Sequence, residues 1–217
     1  MKKNIGIFIV SFLIFSCNNS AKKEQSEGKV IDSLPKIENK SDAKIKTNVD
    51  FKIDDIAESS AELGVFPYIN PPENYTYGYD KNINKKYIRD FDREYFAVAG
   101  KLIPVDGKTF KSTIEKDRSD GKRFNSLLVG KSFEEAILDL GGVNVNNVTV
   151  PKSEIERIGN TELIDKHYGF SIDYNLLDAI NTYIIKTKDK EIWIQYYLLN
   201  DESGAIAILE KNTNKKT

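Results

Sequence analysis

Three carboxylates alternate ahead of an apolar stretch: Asp90, Asp92 and Glu94, before Tyr95-Phe96. In a strand, residues two apart share a face, so the three could bind a cation or polarise a sugar. The plainer alternative is a solvated strand end. Glycoside hydrolysis uses two such groups, one of them kept protonated. An envelope glycan hydrolase would therefore draw on carboxylates such as Asp90 or Asp92, and a desolvated pair with one raised pKa would favour it. Little else points to catalysis. His167, the only histidine, stands in a polar stretch between Lys166 and Tyr168. It has no Cys or His partner for zinc-type ligation, and no G-x-S-x-G nucleophile elbow occurs. Gly141-Gly142 closes a helix rather than opening one, so a phosphate-cradling loop is missing too. Asp117 and Asp120 lack the oxygen-ligand series of a calcium loop and read as turn residues. The sequence assigns no catalytic residue, no metal and no cofactor.

A second constellation is aromatic. Phe66, Tyr68, Tyr75, Tyr77 and Tyr79 fall within one short, proline-containing stretch, and the last three alternate. Tyrosines on an extended face can stack on sugars or seat a partner's chain. The alternative is that they close one end of the core with their phenols reaching water. Tyr68, Tyr75, Tyr77 and Tyr79 are thus the candidate partner-binding residues, and their exposure would favour binding over hydrolysis.

The elements that must hold these residues follow from periodicity. Helical spacing is expected over Asp54–Glu62, with Ile56 and Leu63 on one side. Gly64 to Pro72 is irregular or extended. A strand runs from Glu94 to Ala99, and Leu102 to Val105 continues it or begins another. Asp106-Gly107 reads as a hairpin turn into a strand from Thr109 to Ile114. Ser132 to Leu140 reads as a helix: Ser132 and Glu135 have capping-box spacing, Phe133, Ala136, Ile137 and Leu140 share a face, and Gly141 supplies the stop. Val143 to Val150 reads as extended, and Pro151 to Ile158 as a short helix ended by Gly159. Three strands close the chain: Asn181–Lys186, Glu191–Leu199 and Ala205–Glu210. The second is apolar on both faces, as a central strand must be. The expected fold is α+β, an antiparallel sheet of hairpins with one or two helices packed on one face. It fills residues 51 to 211, about 160 residues and one core's worth, followed by a polar tail from 212 to 217.

The only cysteine, Cys17, stands where a short apolar run ends. Lys2 and Lys3 precede that run, Ile5 to Phe15, which is too short for the roughly 20 apolar residues of a membrane span but has the length of a secretory h-region. Leu13-Ile14-Phe15-Ser16-Cys17 resembles the lipobox of bacterial lipoproteins, although Phe15 is bulkier than the residue usual there. The resemblance implies a signal peptide of residues 1 to 16 and diacylglycerol on Cys17, with further acylation such as palmitate. Each buried CH₂ contributes about 0.8 kcal/mol, so two or three chains hold permanently where one does not. An ordinary secreted protein or an uncleaved anchor are the alternatives. Asn18 follows the cysteine where aspartate, in the lipoproteins this resembles, favours inner-membrane retention, so the resemblance implies the outer membrane, on either face.

Residues 18 to 50 carry seven Lys, six Asp or Glu and no aromatic. Such a composition cannot bury enough apolar surface to offset its ordering entropy and is expected to form a tether. As a flexible coil it would span roughly 30 Å, and fully extended about 110 Å. Removing residues 1 to 16 takes away two lysines and no acid, moving the formal net charge from −1 to −3. That balance excludes the basic stripe of a nucleic-acid binder and leaves membrane contact to the acyl anchor.

Leu63-Gly64-Val65-Phe66-Pro67-Tyr68, Pro72-Glu73-Asn74-Tyr75, Glu94-Tyr95-Phe96, Gly107-Lys108-Thr109-Phe110, Leu140-Gly141-Gly142-Val143 and Lys190-Glu191-Ile192-Trp193-Ile194-Gln195 together resemble the N-terminal module of OmpA family envelope lipoproteins. A peptidoglycan-binding OmpA-like domain often follows in that group and needs about a hundred further residues, for which the stretch after residue 210 has no room. Peptidoglycan binding is therefore not carried over. The expectation is a non-enzymatic domain that binds an envelope protein or glycan; a glycan hydrolase and a structural spacer are the alternatives.

Overall fold

Residues 51–78, 87–117, 119 and 121–213 are described by the computed structural model. Apolar alternation becomes strands in the expected regions: β1 (Tyr75–Tyr77), β2 (Ile88–Val98) and β3 (Lys101–Lys116) precede helix α1 (Ser126–Asp139). After it come β4 (Val143–Val148), helix α2 (Lys152–Ile158), and the closing strands β5 (Ile180–Lys186), β6 (Lys190–Leu199) and β7 (Ser203–Asn212). Among the described residues seven strands join one sheet of order β1-β3-β7-β6-β5-β4, with β2 paired to β3, and the ladders between them are antiparallel. The fold is α+β, and β6 is a central strand flanked by β5 and β7.

One face of the sheet carries Phe110, Ile194, Ile208 and Tyr183 in register and receives α1 through Val129, Phe133 and Ile137, all fully buried. Asn125 caps this helix, its side chain accepting from Leu128 N at 2.9 Å. The helix thus begins before the expected Ser132, which lies inside it. Gly130 and the exposed Leu127 and Leu128 hide the first turns from periodicity. At the other end Gly141 (φ 80°) closes a Schellman motif, with Gly141 N on Leu138 O and Gly142 N on Ile137 O.

The opposite face is covered by the chain's own hairpin. β3 pairs with β7 only from Lys108 to Ile114, while Lys101 to Gly107 pair with β2 alone. The β2–β3 arm leaves the sheet and folds over it, placing Phe96 against Trp193 at 5.4 Å between ring centres. The hairpin turn is Ala99-Gly100, both with positive φ, which corrects the turn expected at Asp106-Gly107. Gly107 serves the bend instead: a Cβ there would stand 2.3 Å from Glu210 O. α2 seals the outer edge of the arm, where Leu102 N donates to Glu154 and Arg157 donates to Leu102 O.

Two further differences are local. Asp54–Glu62 holds a short 3₁₀ turn, Ile53–Asp55, and then an extended bridge in which Ser59 N donates to Lys186 O. Thr161–Asp165 forms a π-helical turn. No helix among the described residues is long and apolar enough to cross a membrane.

Candidate functional site

Where β3 peels away from β7 the sheet forks, and the fork opens a groove of about 850 Å³. Its floor is apolar: Phe51, Ile53, Ile103, Val105 and Trp193. Phe51 meets Trp193 edge to face at 6.2 Å. The rim is charged but largely self-neutralised. Arg93 grips Asp106 through two hydrogen bonds of 2.6 and 2.8 Å, which hold the Asp106 carboxyl below its usual range. Glu191 accepts from Trp193 Nε1 and Lys211 Nζ. Glu210 accepts from Lys190 Nζ and from the Tyr68 hydroxyl. Asp90 is also on the rim and makes no ion pair with another of the described residues. Beside it, a bulge between Arg89 and Asp92 in β2 turns Phe91 outward, 76 % exposed. An apolar floor, a polar rim and one exposed aromatic are what a partner-binding surface requires.

A second polar centre lies under the arm. Glu94 is fully buried; its Oε1 accepts from Ser171 N at 3.0 Å and Ser171 Oγ at 2.9 Å. Lys111 Nζ stands 2.9 Å from Glu94 Oε2 and 3.1 Å from Asp92 Oδ2. It donates to the carbonyls of Arg93 and His167. Burial pushes the Glu94 carboxyl up to about 7, against the pull of Lys111 and Ser171. Next in the row, Gln195 uses its amide like an extra strand: Oε1 accepts from Ala97 N and Thr182 Oγ1, and Nε2 donates to Tyr95 O. The free edge of β2 is thereby satisfied, helped by Tyr95 N on Tyr168 O and Ala99 N on Val145 O.

This centre contains the raised carboxyl that would mark a general acid. A general acid must reach the bond it protonates, and Glu94 has no exposed surface behind a lysine that is itself 11 % exposed. The geometry binds β2, β3 and the 167–173 segment together; it offers no open carboxylate cleft.

The other sequence-marked residues divide clearly. Tyr75 and Tyr77 share a face as expected, and that face is the core, the alternative to an exposed partner-binding patch, although their phenols do not reach water. Tyr75 is 7 % and Tyr77 2 % exposed, packed on Phe124 and Phe110. Their hydroxyls are used internally, Tyr75 accepting from Asn125 N and Tyr77 donating to Ile69 O. Tyr68 is half-buried at the groove rim, and Tyr79 lies outside the described residues, as do Cys17 and Asp120. The bulge separates Asp90, in the groove, from Asp92, beside Lys111. His167 is exposed and contributes its carbonyl. Asp117 is a turn residue whose carboxylate accepts from Ser119 N. Periodicity missed Lys111, Ser171 and Thr182; the one signal was Gln195, a polar residue in a strand apolar on both faces. Among the described residues no three His, Cys, Asp or Glu side chains gather as a metal site. No family model, no curated protein and no solved structure matches the chain.

Proposed function

We propose that this chain is an outer-membrane-anchored lipoprotein whose tethered domain binds an envelope protein or polymer without transforming it. The reading combines the lipobox-like ending at Cys17, the charged 18–50 segment and the resemblance to the N-terminal module of OmpA family lipoproteins. The observation that carries the binding half is the groove at the sheet fork, with Phe91 exposed on its rim. Its apolar floor favours an extended protein segment that presents apolar side chains. Binding rather than hydrolysis is favoured because the raised carboxyl, Glu94, is sealed from substrate.

A photo-crosslinking residue placed at Asp90 in intact cells tests this, alone and combined with Phe91→Ser. One specific adduct is expected, reduced severalfold by the Phe91 change. An adduct unaffected by Phe91→Ser would remove the groove from the binding surface.

A further inference from the structure

The arm leaves one length of strand edge without a strand beside it. Its two-residue turn at Ala99-Gly100 makes Val98 and Lys101 a hydrogen-bonded pair, so Leu102, Pro104 and Asp106 turn their backbone groups away from β2. Elsewhere such groups are taken up. Glu154 and Arg157 serve Leu102, while Gln195, Tyr168 and Val145 serve the outer edge of β2. At Pro104 and Asp106 the ladder that could do the same is missing, because pairing with β7 begins only at Lys108. The Pro104 C=O and the Asp106 N–H and C=O therefore face the groove with no strand opposite them. Across the fork Asn212 carries the edge of β7 past the end of the same ladder.

We propose that the fork takes an extended protein segment carrying basic residues as an added β-strand; the proposal rests on the groove being the binding surface and states how it binds. A residue opposite Asp106 exchanges two hydrogen bonds with it, and an N–H two residues along donates to the Pro104 C=O. Pairing ends there, since proline has no N–H to return and α2 holds Leu102. Side chains of the added strand point alternately to its two faces. One set meets the floor at Phe51, Ile103 and Trp193 and must be apolar. The other meets the rim, where the charges select the sign. Asp106 is matched by Arg93, Glu191 by Lys211 and Glu210 by Lys190. Lys108 is turned to the Phe66 ring, 4.6 Å from its centre, and Arg89 to Asp92. Asp90 is the rim acid left without an ion pair among the described residues, and exposed Phe91 stands next to it. A lysine or arginine of the added strand pairs with Asp90 and lays its stem on the Phe91 ring.

The test is a backbone-amide NMR titration of the full mature chain with capped hexapeptides. The probes alternate valine with lysine, valine with glutamate, and serine with lysine. Two further versions of the valine–lysine peptide are N-methylated, one at its valines and one at its lysines. Saturable shifts of the Asp106 and Asn212 amides are expected with the valine–lysine peptide, and much weaker ones with the glutamate and serine peptides. At least one N-methylated version should bind roughly tenfold more weakly, the worth of about one unmade hydrogen bond. Asp90→Asn and Phe91→Ser, both at exposed positions, should lower affinity severalfold with unchanged melting. The proposal is overturned if the valine–lysine peptide does not bind, if the glutamate peptide binds as well, if both N-methylated versions bind undiminished, or if Asp90→Asn binds as wild type. Binding seen only in a full chain carrying Ile45→Asp and Val49→Asp would overturn it in favour of the chain's own segment before Phe51. A dimer dissociated by Phe91→Ser would overturn it in favour of a second copy. A specific cellular crosslink from position 90 without peptide binding would keep the groove and overturn the added strand; absence of both would remove the groove as well.

Discussion

Glu94 owes its unusual carboxyl to position. A carboxylate at a solvated strand end would titrate near 4.5, but this one is roofed by the β2–β3 arm, and desolvation outweighs the ion pair with Lys111. A pKa raised on folding means that the folded state holds the proton more tightly than the unfolded chain. The stabilisation from this group is complete below about 4.5 and is lost as pH rises through about 7. Between those limits the loss amounts to roughly 3 kcal/mol. Glu94→Gln should abolish that part of the pH dependence. Urea unfolding at both ends of the window measures it, and an equal change in stability for the two proteins would contradict the assignment. The alternation of Asp90, Asp92 and Glu94 was legible in the sequence. The bulge that sends Asp90 to the groove and leaves Asp92 with Lys111 was not, because a bulge is set by how β2 meets β3.

At the scale of elements, the decisive feature is the bend in β3. The Asp-Gly pair resembles a hairpin turn, yet the chain turns at Ala99-Gly100 and continues through Gly107 as one bent strand. Glycine is needed at 107 because Glu210 O occupies the space of a side chain. Gly107→Ala should push β3 from β7 and cost about 1–3 kcal/mol, read as a lower urea midpoint; an unchanged midpoint would mean that the fork tolerates a side chain. The three closing strands and the Phe133–Ile137 helix face were legible because their apolar residues repeat at the strand or helix period. The start of α1 was not. Leu127 and Leu128 are exposed, and Gly130, where an added Cβ would make only ordinary contact with Leu198 at 3.4 Å, is a poor helix former that breaks the apolar pattern.

For the whole molecule, sheet, arm and helices build a domain with a groove at one fork and a polar centre under the arm. The proposed anchor is a separate matter that rests on Cys17. Cys17→Ala should abolish fatty-acid labelling and release the protein from membrane fractions, while the far-ultraviolet circular dichroism of the purified domain stays unchanged. Labelling that persists in this variant would sink the anchor. The near-neutral charge of the chain predicts that release needs no added salt, because little electrostatic attraction to anionic lipid is available.

The amino-acid order alone determined the features that depend on near neighbours: the apolar run ending at Cys17, the charged segment after it, the strand periods and the α+β class. Tertiary structure decided which faces those periods bury. Tyr75 and Tyr77 went to the core because their shared face meets Phe110 and Phe124, while Phe91 went outward because of a bulge. Glu94, Ser171 and Gln195 are far apart in the chain and meet only once the arm folds over the sheet. Their proximity has no local period to announce it, since it arises from the bend at Gly107 and from unpaired strand-edge groups that must find hydrogen-bond partners once buried.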